Sequence, residues 1–295
     1  MPSIHANGVT LEYETHGDGE PLLLITGLAG QLIDWELGFI DLLNEQGFRV
    51  IRFDNRDSGL STKFSETKVR NRDLLSGILS RRQAPAPYVI EDMAADAASL
   101  LDTLGISSAH IVGSSMGGMI AQAMAIAEPT RVRSLTSIMS HTGDRRNGRV
   151  SARLMLRLPF LGRTNERNAV DKGVQLAEAL SGDRFDPHEA RRRVMEAVER
   201  SWDPEANERQ SLALFASRDR TPLLQRLSMP ALVIHGRRDP LVLPSGGRAT
   251  ARAIPDAELI EFDEMGHELP QHRWDDIVGA IRRNAERSRR PVLVG

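Results

Sequence analysis

A Gly-x-Ser-x-Gly pentapeptide at residues 113–117 lies between two stretches of different character. The preceding run, 109–112, is apolar with β-branched Ile111 and Val112, and the following run, 119–127, favours helix. This arrangement predicts a sharp strand-to-helix turn that strains the backbone of Ser115 and holds its hydroxyl clear of the sheet. Glycine is required on both sides because a side chain there would collide with the neighbouring strand or helix. The chain must therefore adopt a fold in which a strand leads directly into a helix.

Apolar runs and helical patterns alternate along most of the sequence. Strands are predicted at 8–14, 21–25, 48–53, 109–112, 132–139, 230–234 and 257–262. Helices are predicted at 34–46, 90–104, 116–128, 244–254 and 274–286. Such alternation indicates an α/β fold, with a mostly parallel, doubly wound sheet covered on both faces. Because ligands bind at the carboxyl ends of strands in these sheets, the polar residues after each strand are the candidates for a site.

One long interval lacks any apolar strand. Residues 140–227 contain arginine-rich helical stretches, and a structureless loop of that length is improbable in a compact domain. We therefore predict a core of residues 1–139 and 228–295, with a helical cap, 140–227, inserted after the strand predicted at 132–139. A smaller insertion is predicted at 63–88.

The composition of the chain excludes several kinds of site and gives no reason to expect certain partners. A net charge of −2 gives no long-range reason to expect nucleic acid as a partner. The absence of cysteine excludes disulfides, thiolate metal sites and a cysteine nucleophile. The sequence shows neither a signal-peptide pattern nor a stretch long enough to span a membrane, so we expect a cytoplasmic protein.

A serine hydroxyl needs a base to take its proton and an acid to orient that base. Asp239 follows the next-to-last predicted strand and His267 follows the last. The chain order Ser115, Asp239, His267 is the order expected for a nucleophile-elbow triad. Asp263 is an alternative acid that is less well placed, and His235 is interpreted as structural because it ends its strand.

The tetrahedral intermediate of such chemistry needs hydrogen-bond donors aimed at its oxyanion. The glycine-containing segment 26–30 follows a strand, and its backbone can approach a substrate closely. We predict an oxyanion hole made by the backbone N–H groups of Leu28 and Met116. The predicted substrate-binding residues are Gly27, Trp35 and His141.

These motifs make the chain resemble the α/β-hydrolase superfamily over nearly its full length. The turn Asp54-Asn55-Arg56-Asp57-Ser58-Gly59-Leu60-Ser61 looks like the Asp-x-Arg-Gly-x-Gly-x-Ser turn of that family, with Asp57 where glycine is usual. This turn, with 236–239 and 266–270, looks most similar to actinobacterial esterase/lipase-like members and anthracycline methylesterases. The resemblance implies an eight-stranded sheet with a helical cap inserted after the sixth strand, and the same triad. Thr26 stands where many members have histidine.

The expected activity is hydrolysis of a small-molecule carboxylic ester through an acyl-enzyme on Ser115, with no metal or organic cofactor. The same triad also serves methylesterases of polyketide-type molecules, carbon–carbon bond hydrolases and cofactor-free perhydrolases, so these alternatives stay open. A non-catalytic receptor is disfavoured because a binder needs neither Asp239 nor His267. The sequence predicts no oligomeric state.

Overall fold

The computed structural model describes residues 2–70, 72–73, 86–161 and 165–289, with the side chains of 158–161 left aside. Eight strands form one sheet in the order β1-β2-β4-β3-β5-β6-β7-β8. The strands are β1 Ser3–Ala6, β2 Val9–His16, β3 Glu20–Ile25, β4 Phe48–Phe53, β5 Ala109–Ser114, β6 Val132–Ile138, β7 Ala231–Gly236 and β8 Glu258–Phe262. The first two pairings, β1 with β2 and β2 with β4, are antiparallel, and the others are parallel. The predicted fold class is confirmed.

Helices follow the strands and cover both faces of the sheet. They are α1 Leu37–Glu45, α2 Ile90–Thr103, α3 Met116–Ala127, α4 Ala152–Leu161, α5 Ala169–Leu180, α6 Pro187–Arg200, α7 Pro204–Ala216, α8 Thr221–Leu224, α9 Ser245–Ala253 and α10 Trp274–Arg287.

Alternate residues of the central strands supply two separate apolar cores. Leu23 and Ile25 of β3 pack with residues of α2 and α3 on one face. Leu22 and Leu24 pack with residues of α1 and α10 on the other. Successive side chains of a strand point to opposite faces, so a strand buried on both sides reads as a continuous apolar run. This explains why the central strands could be recognised from sequence.

Strand β1 was not among the strands predicted from the apolar runs. It has only four residues and pairs antiparallel with β2, from Ser3 opposite Glu12 to Ala6 opposite Val9. The two strands are joined by Asn7 and Gly8, whose φ angles are 49° and 77°. An Asn-Gly pair with two positive φ angles is typical of a tight hairpin turn, and this signal was available in the sequence.

Residues 140–227, which we call the insert, lie between β6 and β7 and contain the helices α4 to α8. The insert contacts the loops at the carboxyl ends of the strands: Arg200 forms an ion pair with Asp54 at 2.8 Å. Half of the smaller predicted insertion, 63–88, lies outside the described residues. The division of the chain into a core and a cap formed by residues 140–227 stays a prediction from the sequence.

No helix in the described ranges is long and apolar enough to cross a membrane.

Candidate active site

Ser115 lies at the turn between β5 and α3, with φ 54° and ψ −119°. Glycine at positions 113 and 117 makes this conformation possible, because the backbone of each residue lies very close to other backbone atoms. A Cβ atom on Gly113 would lie 2.1 Å from the carbonyl oxygen of Gly117, and one on Gly117 would lie 2.1 Å from that of Ile25. Because only glycine permits both contacts, the chain can turn sharply and present Ser115 half-exposed at the carboxyl end of the sheet.

The structure brings the three predicted triad residues together from positions far apart in the chain. His267 Nε2 lies 2.9 Å from Ser115 Oγ, and His267 Nδ1 lies 2.7 Å from Asp239 Oδ2. The Asp239 side chain is fully buried and that of His267 is 7% exposed. A carboxylate accepts hydrogen bonds only, so Nδ1 carries the proton and Nε2 is free to accept the serine proton.

The carboxylate of Asp239 is held by backbone as well as by His267. Its Oδ1 accepts hydrogen bonds from the backbone N–H groups of Leu241 and Val242 at 2.9 and 2.8 Å. Burial by itself raises the pKa of Asp239, but the charge of His267 and hydrogen bonds from His235 and His267 outweigh it. The net pKa lies below the usual value, so Asp239 is ionised and can orient His267.

His235 contacts this acid, a role that the sequence interpretation did not give it. The ring is fully buried at the end of β7, its Nε2 donates to the carbonyl oxygen of Val242 at 2.7 Å, and the same nitrogen lies 3.4 Å from Asp239 Oδ2. The spacing of four residues between His235 and Asp239 is the feature of the sequence that could have indicated this contact. His235 therefore supports the loop that carries Asp239.

The His267 loop is joined to the insert. The backbone N–H of His267 donates to the carbonyl oxygen of Leu180 at 2.8 Å. The carboxylate of Glu268 accepts hydrogen bonds from the backbone N–H groups of Gly182 and Gly266. The end of α5 thus helps to fix the position of the histidine.

The segment after β3 approaches the serine closely. A Cβ atom on Gly27 would lie 3.1 Å from Ser115 Cβ, so glycine keeps the space beside the hydroxyl open. Within the described part of the chain, the next backbone N–H, that of Leu28, has no protein acceptor. Met116 is the first residue of α3, where backbone N–H groups and the helix dipole favour negative charge. The two predicted oxyanion donors thus belong to residues next to Gly27 and next to Ser115, and their role in binding an oxyanion stays a prediction.

Other predicted residues lie in different surroundings. Trp35 is 2% exposed and stacks on Phe39 with ring centroids 5.7 Å apart, inside the core. His141 is buried, and its Nδ1 accepts a hydrogen bond from the backbone N–H of Gly143 at 2.9 Å. Their roles in substrate binding stay predictions. Asp263 is 77% exposed and pairs with Arg237, so it lies away from the histidine that it was considered to serve.

Among the residues that the structure describes, no group of three histidines, aspartates or glutamates is arranged to hold a metal ion.

Comparison with known proteins places this geometry in a family. The sequence profile of the α/β-hydrolase fold matches residues 20–270. Two curated relatives are rhodomycin D methylesterases: DauP of Streptomyces sp. strain C5 is 28% identical, and DnrP of Streptomyces peucetius is 29% identical. The alignments cover 95% and 92% of this chain, and 97% and 94% of the relatives.

Solved structures show the same fold. The enol-lactonase from Burkholderia xenovorans is 22% identical with a TM-score of 0.73, and the match covers 97% of this chain and all of that one. A meta-cleavage product hydrolase from Pseudomonas fluorescens is 22% identical with a TM-score of 0.74, over 97% of both chains. The profile match over most of the chain, together with these relatives, shows that this chain belongs to the α/β-hydrolase fold family.

Proposed function

We propose that the protein is a serine hydrolase that cleaves carboxylic esters through an acyl-enzyme. The observation that carries the proposal is the continuous hydrogen-bonded series from Ser115 Oγ through His267 to Asp239, with distances of 2.9 and 2.7 Å. Such a series converts a weak nucleophile into a reactive one, and a protein that only bound a ligand would not need it.

Each residue has a defined role in the proposed reaction. Ser115 Oγ attacks the ester carbonyl while His267 Nε2 takes its proton, and Asp239 stabilises the imidazolium that forms. The N–H groups of Leu28 and Met116 bind the negative oxygen of the tetrahedral intermediate. His267 then protonates the leaving alcohol. In the second half, water attacks the acyl-enzyme with His267 again as the base, releasing the acid.

The relatives favour one class of ester. Both are named as methylesterases of rhodomycin D, and each aligns with more than nine-tenths of this chain. We therefore place methyl esters of polycyclic, polyketide-type acids first among the substrates to test, with simple alkyl and aryl esters beside them.

Replacing Ser115 with alanine should lower ester turnover by about 10⁴-fold or more, because the reaction loses its nucleophile. The measurement is hydrolysis of p-nitrophenyl esters from acetate to palmitate and of polycyclic methyl esters. Ser114→Ala is the matched control, since Ser114 precedes the nucleophile in the same turn and makes no contact in the triad.

Equal turnover by the two variants would overturn the serine-hydrolase proposal. Turnover confined to a dienone-type diketone, and dependent on Ser115, would instead identify a carbon–carbon bond hydrolase with the same triad. A preference for long acyl chains would indicate that the insert acts as a lipase lid.

A further inference from the structure

The segment 26–30 contains one residue with a strained backbone. Ala29 has a φ of 61°, a conformation that is unfavourable for a residue with a Cβ atom. Such a conformation persists only where the surroundings hold it. Since Ala29 directly follows Leu28, whatever holds Ala29 also limits the orientations of the proposed oxyanion donor.

The two ends of this segment are held by the core. Asn55 Nδ2 donates to the carbonyl oxygen of Thr26 at 3.2 Å. The carbonyl oxygen of Gly30 accepts hydrogen bonds from the hydroxyls of Thr26 and Ser58. The backbone N–H of Gly30 also donates to the carbonyl oxygen of Gly27 at 3.2 Å, which closes a turn around residues 28 and 29. These contacts are all at the base of the turn, so its tip, residues 28 and 29, needs a further contact to be fixed against the rest of the fold.

Gln210 of the insert supplies that contact. It lies on α7 with no exposed surface, and its Oε1 accepts a hydrogen bond from the backbone N–H of Ala29 at 2.9 Å. Its Nε2 donates to the carbonyl oxygen of Arg56 at 2.8 Å. An N–H can only donate and a carbonyl can only accept, so the amide has one orientation, and turning it over would break both bonds.

This amide therefore joins the turn after β3 to the turn after β4. In the described part of the chain, no other side chain hydrogen-bonds to the backbone of residue 28 or 29. The neighbouring Arg209 forms a buried ion pair with Asp57, which holds α7 against the second turn. The helix that carries Gln210 is thus held against the turn after β4.

We infer that Gln210 is a positioning residue for the oxyanion hole, so that the insert sets the geometry of catalysis as well as covering the sheet edge. The inference rests on the proposed function, because Leu28 needs a fixed orientation only if it binds an oxyanion. Gln210 touches no reacting atom. Its effect passes through Ala29 to the donor at Leu28.

The variant Gln210→Met keeps the length of the side chain and removes both hydrogen bonds. It should lower kcat about 10- to 100-fold and change KM less than about threefold, because the Leu28 N–H is needed mainly in the transition state. Gln210→Asn, one methylene shorter, cannot span both turns and should lower kcat similarly. The asparagine variant keeps a polar group in the buried position and serves if the methionine variant does not fold. Ser211→Ala on the same helix is the control.

Binding of two inhibitors separates positioning from general damage. A trifluoromethyl ketone, which forms a tetrahedral adduct with Ser115, should bind more weakly to the Gln210 variants by the factor lost from kcat. An ether of the same shape, which forms no adduct, should bind all variants equally.

The inference is overturned if kcat and ketone binding of the Gln210 variants match those of Ser211→Ala, or if ketone and ether binding weaken together. Assay of Ser115→Ala in the same series tests the proposed function separately. Turnover retained there removes the serine mechanism itself, whereas turnover lost there with normal Gln210 variants removes only the positioning role.

Discussion

In the serine turn, close contacts between backbone atoms leave room only for glycine at position 117. Gly117 lies under the end of β3, where an added Cβ atom would be 2.1 Å from the carbonyl oxygen of Ile25 and 2.6 Å from that of Thr26. Neither backbone oxygen can move without disturbing the central strand. By contrast, Gly279 lies in α10, and the nearest atom to its added Cβ would be the flexible end of Arg283 at 3.4 Å.

These two glycines give opposite predictions for stability. Gly117→Ala should lower the free energy of unfolding by about 3 kcal/mol, the upper part of the usual range for overpacking. Gly279→Ala should raise it by about 0.5–1 kcal/mol, since alanine loses less conformational freedom in a helix. Denaturation in urea measures both. Shifts of the same sign and size would contradict the assignment of the 113–117 turn as sterically closed.

At the scale of elements, Glu20 connects the beginning of β3 to β6, two strands away in the sheet, and to the last helix. Its carboxylate accepts hydrogen bonds from Arg133 at 2.6 Å and Arg282 at 3.0 Å, and it also pairs with Arg289. Burial alone would raise the pKa of Glu20. The hydrogen bond from Arg282 and the charges of Arg133 and Arg289 outweigh it, lowering the pKa from 4.5 to about 2.

This pKa predicts a pH-dependent contribution to stability. A lowered pKa in the folded state stabilises the fold above pH 4.5, and the contribution is lost as the pH falls from 4.5 to about 2. Glu20→Gln should therefore have a lower Tm than the unmodified protein at pH 6, with the gap closing toward pH 2. Exposed Glu258→Gln is the control and should show little gap. A gap for Glu20→Gln that is constant across this range would refute the linkage.

At the scale of the whole molecule, the insert is joined to the core by a buried ion pair. Arg209 of α7 is 1% exposed and lies 2.8 Å from Asp57. The Asp57 carboxylate also accepts hydrogen bonds from the hydroxyl of Tyr88 and from the backbone N–H of Phe64. Asp57 stands at the position where glycine is usual in the family turn, and it has a φ of 63°. Asp57, the residue that departs from the family pattern, is therefore paired with Arg209, which lies 152 positions later in the chain.

Removing one member of this pair should lower the free energy of unfolding more than removing both members. Arg209→Met leaves the Asp57 carboxylate buried without its counter-charge and should lower the free energy of unfolding by about 3–5 kcal/mol. The double variant Asp57→Gly/Arg209→Met should recover much of that loss, because no charge stays buried and glycine accepts a positive φ. Urea denaturation of the four proteins forms a double-mutant cycle. Additive losses would mean that the two residues are not coupled.

Local patterns were sufficient for most of the fold. Buried parallel strands such as β3 and β5 are continuous apolar runs, and the helices between them show their own period, so seven strands were predicted within a few residues of their bounds. Strand β1 was missed because four half-exposed residues carry little apolar signal. The triad residues were predicted because each lies in the turn after a strand, and the carboxyl ends of parallel strands meet at one edge.

The sequence by itself thus determined seven of the strands and the serine turn, because these depend on neighbours within a few residues. It also indicated Ser115, Asp239 and His267 as candidate site residues. Only the tertiary structure decided which distant side chains support them. Gln210 reaches a loop 181 positions earlier, and nothing in the pattern around it marks that contact. The physical reason is that hydrogen bonds and buried ion pairs depend on positions in space, which packing of the insert on the core sets after the local elements have formed.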